Sequence, residues 1–442
     1  MSVVTTMGAT GRDAGGVMSK SSLGDPHRAE PPAVRLWVRT VPVAHPGPLP
    51  ELMPHARAFA WLHRGEGMIG WGEAARYRSA SLAGADQWWS GIVDNAVLIS
   101  DMQPGPPGAG LIAFGSFVFD PAHTAAESSL VVPRTVLGIR HGRAWLTTVS
   151  PTFGQDTAIP DPAPLRRPQN LTFTDGALSA GGWALRVAEA VRRITAGQLD
   201  KVVLARDLVA VAEEDIDPRW LVRRLAEKYA RCWTFHIDGL IGASPEMLVR
   251  REVGLATSRV LAGTIRRTGD GGQGRELAAA LRRSGKDLGE HEFAVRSVAQ
   301  ALAPFCLDMH VPDAPFVLGL PNVLHLATDV TAVAKPGASS LALAAGLHPS
   351  AAVCGTPTDV ARSTIAELEQ MDRGRYLGPV GWVDARGDGE WVIALRCGQQ
   401  GSDPRRVRLY AGGGIVAESD PAEELAETEA KLVPMRYALG SA

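Results

Sequence analysis

Several things are scarce in this 442-residue sequence, and each scarcity removes a class of explanation. No apolar run approaches the roughly 18 residues of a membrane-crossing helix, so no membrane partner is expected. Neither charge is in surplus: 45 Lys and Arg face 47 Asp and Glu, for a net charge of -2. With no block of like charge either, no nucleic-acid partner is expected. The four cysteines (Cys232, Cys306, Cys354, Cys397) are scattered and form no C-x-x-C pair. That argues against a disulfide framework or a thiolate zinc site and for buried thiols in a reducing cytoplasm. No internal repeat suggests a solenoid, and no heptad pattern suggests a coiled coil. The first 33 residues lack the apolar core of a secretory leader and are rich in Gly and Ser, which predicts a disordered tail.

What is present is enough apolar sequence for a large core: 45% hydrophobic and 21% charged residues, as in soluble globular proteins. Residues 34–442 are expected to form one catalytic domain, with a variable part at 34–165 and a motif-rich part at 180–442. "AFAWLHRGEGMIGWGEA" reads as a hairpin, and "GLIAFGSFVFDP" and "GRAWLTTV" as strands. A Pro-rich connector follows at "FGQDTAIPDPAPLRRPQNLTF". Apolar spacing over Trp183–Ile194 predicts a helix. "LDKVVLARDLVAVA" reads as a strand and "RWLVRRLAEKYA" as an amphipathic helix. "RCWTFHIDGLIGASPEMLVRRE" reads as two strands about a turn. "GRELAAALRRSGKDLGEHEFAVRSVAQALAPF" reads as helix, interrupted near Ser284. "GPVGWVDARGDGEWVIALRCG" reads as a hairpin turning at Asp388-Gly389, and "AGGGIV" as a glycine turn. "DPAEELAETEAKL" opens a closing helix, with Asp420 as N-cap and Pro421 in its first turn. Hairpin strands mixed with separate helices imply an α+β fold.

Five constellations could carry chemistry. Asp287 and Glu290 sit three apart on a helix, as do Glu424 and Glu427, so each pair shares a face. Two such faces meeting would need a cation, and oxygen-only ligands suit Mg²⁺; solvated helix faces, with Glu427 and Lys431 merely an i,i+4 ion pair, are the plainer alternative. Lys201 stands among apolar strand residues, either as a snorkelling side chain or as a desolvated base. Glu246 follows a Ser-Pro turn, either as a hydrated carboxylate or as a half-buried acid. The glycines of "AGGGIV" would let a ligand approach the backbone, and Arg396 could grip a carboxylate. The cluster "LHPSAAVCGTP" places His348, Ser350 and Cys354 together like a nucleophile site.

The order of the motifs narrows these readings. "LDKVVLAR", "IGASPE", "LAGTIRR", "KDLGEH", "NVLHLAT", "LHPSAAVCGTP", "DRGRYLGPVGWVDARGDGEWVIALRC", "AGGGIVAESDP" and "ELAETEAKL" follow one another as they do in chorismate-utilising enzymes. The chain resembles that family from about Trp183 to its C-terminus. The resemblance implies two stacked antiparallel sheets flanked by helices, the fold of anthranilate synthase component I. It implies Glu290 and Glu427 as Mg²⁺ ligands, with Asp287 and Glu424 in support. It implies that Tyr376, Arg396, Gly412 and Gly414 bind the enolpyruvyl carboxylate of chorismate, that Gly263 and Thr264 contact the ring carboxylate, and that His325 lies near the ring. Lys201 and Glu246 would be base and acid for adding water at C2 and expelling the C4 hydroxyl. The resemblance also implies a monomer.

Within the family, three positions point to isochorismate formation. Lys201 replaces the Gln of ammonia users, Ala262 replaces the Lys of the aminodeoxychorismate branch, and Ala352 replaces the Thr usual where pyruvate is expelled. The menaquinone-pathway type is expected, with a siderophore-pathway type, a salicylate synthase, a non-catalytic chorismate binder and a hydrolase using His291 as alternatives. The family loop usually reads His-Pro-Thr-Pro-Ala where this chain has His-Pro-Ser-Ala-Ala.

Overall fold

The computed structural model describes residues 35–440, apart from residues 80, 155–160, 267–272 and 320–322 and the side chains of residues 264, 266, 273, 286, 290 and 323. The expected N-terminal tail lies outside the described residues. Two large sheets organise the chain. The first has thirteen strands among the described residues and the second has ten. Among the described residues every pairing is antiparallel except that of Trp37–Val43 with Val97–Ser100. The α+β expectation therefore holds, with one parallel pair at the edge of the larger sheet.

The sheets stack through their apolar faces. Phe59 of the larger sheet and Phe114 of the smaller lie ring on ring, with centroids 5.7 Å apart. The core between them holds Trp61, Trp145, Trp382 and Trp391, all essentially buried. A second core covers the outer face of the larger sheet. There the helices Pro218–Lys228 and Pro421–Leu439 press Leu221, Leu225, Leu432 and Met435 against Leu208, Ile241 and Leu409. No described helix is long and apolar enough to cross a membrane.

Helix boundaries follow the capping signals in the sequence. Ser179, Asp217, Ser284, Ser339 and Asp420 each accept a backbone N–H from the first turn of the helix they precede, satisfying donors that would otherwise be orphaned. Ser284 ends one helix at Arg283 and caps the next at Gly285, which is the interruption expected there.

Three local expectations change. "RCWTFHIDGLIGASPEMLVRRE" forms three strands, not two: Trp233–Ile237, Leu240–Ser244 and Met247–Glu252. The Ser-Pro-Glu step is a crossing from the larger sheet to the smaller. The hairpin of "VDARGDGEW" turns over residues 385–388 with Gly387 at φ 78°, because Asp384 accepts the N–H groups of Arg386 and Asp388 and pulls the bend ahead of Gly389. The "AGGGIV" glycines lie inside the strand Arg406–Ile415 and make no turn.

The chain crosses between sheets a second time, from Gly389–Ile393 in the smaller to Cys397–Gln400 in the larger. The two crossings run side by side. Ile393 N–H donates to the Glu246 carbonyl (3.1 Å), Ala243 N–H to the Arg396 carbonyl (3.3 Å) and the Ser244 hydroxyl to the Ile393 carbonyl (2.6 Å). Arg396 takes φ 50°, a conformation costly without glycine, so its surroundings must hold it.

Away from the crossings, Glu390 joins the sheets. It is buried and accepts from Trp61 Nε1 (3.1 Å) and from Arg140 (3.0 Å). Glu390→Ala should strand a buried indole N–H and a guanidinium, at a cost of about 3 kcal/mol. Urea denaturation would measure it, and a loss below about 0.5 kcal/mol would show that the bridge carries no stability.

Candidate active site

Both sheet crossings deliver a functional side chain to one seam. Glu246 sits on the first and Arg396 on the second. The turn before strand Pro379–Asp384 is tied to the second crossing: Leu377 N–H donates to Ala394 O (3.0 Å), and Ala394 N–H donates to Gly378 O (2.9 Å). This sets Tyr376 beside the same seam, buried and stacked on Tyr410 at 5.0 Å with the rings nearly parallel. Burial pushes the Tyr376 phenol up, so it stays a neutral donor.

Glu246 is water-accessible but set deep in a recess. Loss of hydration raises its carboxyl above the ordinary value, and the nearby charges of Arg396, Lys201 and Lys431 only partly oppose this. Lys201 reaches the recess from the strand Lys201–Val211, which pairs along its length with Arg406–Ile415. The glycines of that second strand explain the fit. A Cβ on Gly414 would lie 3.0 Å from Lys201 Cε, and one on Gly412 would lie 2.7 Å from the Leu204 carbonyl oxygen. On the opposite face, a Cβ on Gly413 would lie 2.7 Å from Glu424 Oε2. The strand is bare because neighbours occupy the space on both its faces.

The closing helix, Pro421–Leu439, supplies Glu424 and Glu427. Ser419 donates to Glu424 (2.9 Å). Lys431, one turn past Glu427, binds its carboxylate at 2.7 Å and the Gly412 carbonyl at 2.6 Å. Burial lowers the Lys431 ammonium, with Glu427 and Glu424 opposing. Sequence reasoning weighed Lys431 only as an ion-pair partner of Glu427. Its place in the recess follows from the helix docking on the glycine strand, which spacing along one helix does not reveal.

Gly263 sits at φ 72° in a bulge of the strand Leu255–Arg266, with Ala262 opposite Leu326 and Thr264 opposite His325. A Cβ there would lie 3.1 Å from Asp287 Cβ, so the bulge and the helix Gly285–Leu302 meet at Asp287. Burial, with Arg396 and Lys431 nearby, lowers His325 and keeps its ring neutral at pH 7. His291, in contrast, is buried with both nitrogens engaged: Nδ1 donates to Ala262 O (3.2 Å), leaving Nε2 to accept from Thr328 (2.7 Å). With no lone pair left over, it cannot serve the hydrolase alternative.

Lys201, Glu246, His325, Arg396, Glu424 and Glu427 thus share one charged neighbourhood, with Tyr376, Gly263, Asp287, Gly412 and Gly414 on its walls. Ala352 stands apart, exposed on the turn after helix Ser340–Leu347 and linked to the site through the backbone of its loop. The side chains of Thr264 and Glu290 lie outside the described residues. The nucleophile-like cluster around it dissolves. His348 Nε2 donates to Phe119 O (2.9 Å) and is pushed down to about 4 by burial. The Cys354 thiol is pushed up to about 11 and donates weakly to Thr358 O. One residue anchors the loop and the other fills its core.

Among the described residues no three metal-ligating groups converge, and this does not include the Glu290 side chain. The donor chemistry nonetheless fits a hard divalent cation: Asp287, Glu424 and Glu427 offer only oxygen, and Glu427 is already paired with the ammonium of Lys431 at 2.7 Å.

The sequence profile of the chorismate binding enzymes matches residues 53–440. The chain belongs to that family. This chorismate binding enzyme is 41% identical over 266 residues to isochorismate synthase DhbC of Bacillus subtilis, an alignment covering 58% of this chain and 66% of that one, just under two thirds of its length. It is 37% identical over 347 residues to the putative isochorismate synthase MenF of Mycobacterium tuberculosis, covering 75% of this chain and 87% of that one. It superposes on the menaquinone-specific isochorismate synthase MenF of Escherichia coli with a TM-score of 0.74 at 26% identity, covering 93% and 96% of the two chains. Anthranilate synthase component I of Streptococcus pneumoniae, at 20% identity and TM-score 0.63, shares the fold.

A raised carboxyl contributes stability that is full below the ordinary Glu range and is lost as pH rises through the folded value. Glu246→Gln removes that loss. The variant's melting temperature should therefore gain on the parent's as pH goes from 4 to 8. A gap independent of pH would show that the Glu246 carboxyl is not raised.

Proposed function

We propose that this enzyme is an isochorismate synthase, an isomerase that adds water at C2 of chorismate and releases the C4 hydroxyl. The observation that carries this reading is the raised carboxyl of Glu246 within electrostatic reach of Lys201 and Arg396. Such a site can hold an acid protonated and a base nearby at one pH, as the reaction needs. The names of the relatives support the same activity.

The amine of Lys201 takes a proton from the attacking water as the C2–O bond forms. The ring double bonds shift, the C4–O bond breaks, and Glu246 gives its proton to the departing hydroxyl. Atoms balance, because one water enters and one leaves. Arg396 and Tyr376 hold the enolpyruvyl carboxylate, assisted by N–H groups near Gly412 and Gly414. The ring carboxylate lies toward Gly263 and Thr264, and neutral His325 packs near the ring. Mg²⁺ held by Glu290 and Glu427, with Asp287 and Glu424 beside them, would supply positive charge against the ring carboxylate. Ala352 leaves the loop wall without a hydroxyl, which favours stopping at isochorismate over expelling pyruvate. Menaquinone synthesis in the cytoplasm is the proposed setting, since relatives named for it align over three quarters of the chain; siderophore-type relatives align over less.

Purified protein given chorismate and Mg²⁺ should form isochorismate, and EDTA should abolish turnover. Salicylate as the main early product would overturn the reading in favour of a salicylate synthase. Lys201→Ala should lower kcat by about 10³-fold while chorismate still binds; a fully active variant would place the base elsewhere. Ala352→Thr should raise the share of pyruvate among the products, read by coupled lactate dehydrogenase assay, and an unchanged share would remove Ala352 as the determinant.

A further inference from the structure

The strand Lys201–Val211 has one complete edge and one broken edge. Along the complete edge, Val202 to Val211 pair with Ile415 to Arg406. Along the broken edge, two short strands cover only the ends. Gly355–Thr356 covers Lys201 and Val202, and Thr172–Asp175 covers Leu208 to Val211. Buried backbone groups in the gap need partners of another kind.

Side chains supply them. Glu369 Oε1 accepts the Ala205 N–H at 2.7 Å, Arg373 Nη2 donates to the Val203 carbonyl at 2.6 Å, and Trp183 Nε1 donates to the Ala205 carbonyl at 3.0 Å. Glu369 and Arg373 are in turn paired with each other at 2.5 and 2.8 Å and are only 3% and 4% exposed. Arg373 Nη1 also reaches the Val353 carbonyl (3.3 Å), and the Val203 N–H donates to Cys354 O (2.8 Å). One guanidinium therefore touches both the strand that begins with Lys201 and the loop that carries Ala352. Arg373 further accepts Tyr376 N–H on its own carbonyl (3.0 Å), linking the same residue to the turn beside Arg396.

We propose that Glu369 and Arg373 form a positioning clasp for the reaction. The ion pair replaces the missing stretch of edge strand and sets where the Lys201 amine stands relative to the Ala352 loop and Tyr376. Their hydrogen bonds run to each other and to backbone groups. A hydrophobic pair could fill the same volume, but it could not satisfy Val203 O and Ala205 N–H together, so the charge pair is there for the backbone it grips. A planar fork can serve Glu369, Val203 and Val353 at once; a lysine has one point of charge and must give up part of that set.

The inference rests on the reading of Lys201 as the base, so Arg373→Lys, Glu369→Gln and Lys201→Ala are made together in the full chain. Each is assayed with chorismate and Mg²⁺ for kcat, KM and the pH profile of kcat, and by circular dichroism for the folded fraction. Arg373→Lys should lower kcat per folded molecule by about 30-fold, with KM within about threefold of the parent, since a displaced base costs turnover more than binding. The midpoint of its kcat–pH profile should shift. Glu369→Gln keeps an oxygen for the Ala205 N–H and should lose less, about threefold to tenfold in kcat. Should Arg373→Lys fail to fold, Glu369→Gln decides by the same two readouts. Variants that melt earlier yet turn over at the parent rate, with an unchanged pH profile, would reduce the clasp to a purely structural pair. An inactive Lys201→Ala beside parent-like clasp variants overturns the clasp alone. An active Lys201→Ala overturns the reading of the base.

Discussion

Everything in the recess depends on two peptide segments crossing between the sheets side by side. Strands within a sheet satisfy one another, but a chain that leaves one sheet for the other must find hydrogen bonds in the gap. Here the two crossings satisfy each other, through Ile393 with Glu246 and Ala243 with Arg396. The solution holds only if Arg396 takes a left-handed conformation and Ser244 reaches across to Ile393. An acid and a permanent cation are thereby fixed on neighbouring backbones. The chemistry comes from side chains, but their separation is set by main-chain bonds and by the one hydroxyl of Ser244.

The electrostatics of the recess follow from that placement. Three cations, Arg396, Lys201 and Lys431, surround one carboxyl that is nevertheless raised, because hydration is lost faster than charge is compensated. The same cations lower His325. A site poor in its own anions at the seam and rich in carboxylates on the closing helix divides naturally into two halves. One half can grip a carboxylate directly, and the other can grip one through a cation. A small molecule with two carboxylates at a fixed distance is the shape that satisfies both.

Much of this was legible in the sequence. A capping residue placed one helix start at Asp420, an expected interruption fell at Ser284, and the Val- and Leu-rich run placed the Lys201 strand. Motif order placed Lys201, Glu246, Arg396, Glu424 and Glu427 in one family and so in one site, and the structure brings those five together. The misses share a cause. Glycines are ambiguous along the chain, since "AGGGIV" suits a turn until one knows that Lys201 and Glu424 crowd its two faces. "IGASPEM" suits a turn between two strands until one knows that the strands belong to different sheets. Lys431, Glu369 and Arg373 act through partners more than a hundred residues away or on another element, which local spacing cannot register.

The bare stretch Gly412–Gly414 also limits how such a site can change. A position whose Cβ would strike a backbone carbonyl or a needed lysine cannot be varied to reshape the cavity. Change must then come at positions with room around them, as at Ala352, exposed on its turn. The glycine strand is thus a fixed anvil, and related sites can diverge only at positions away from it.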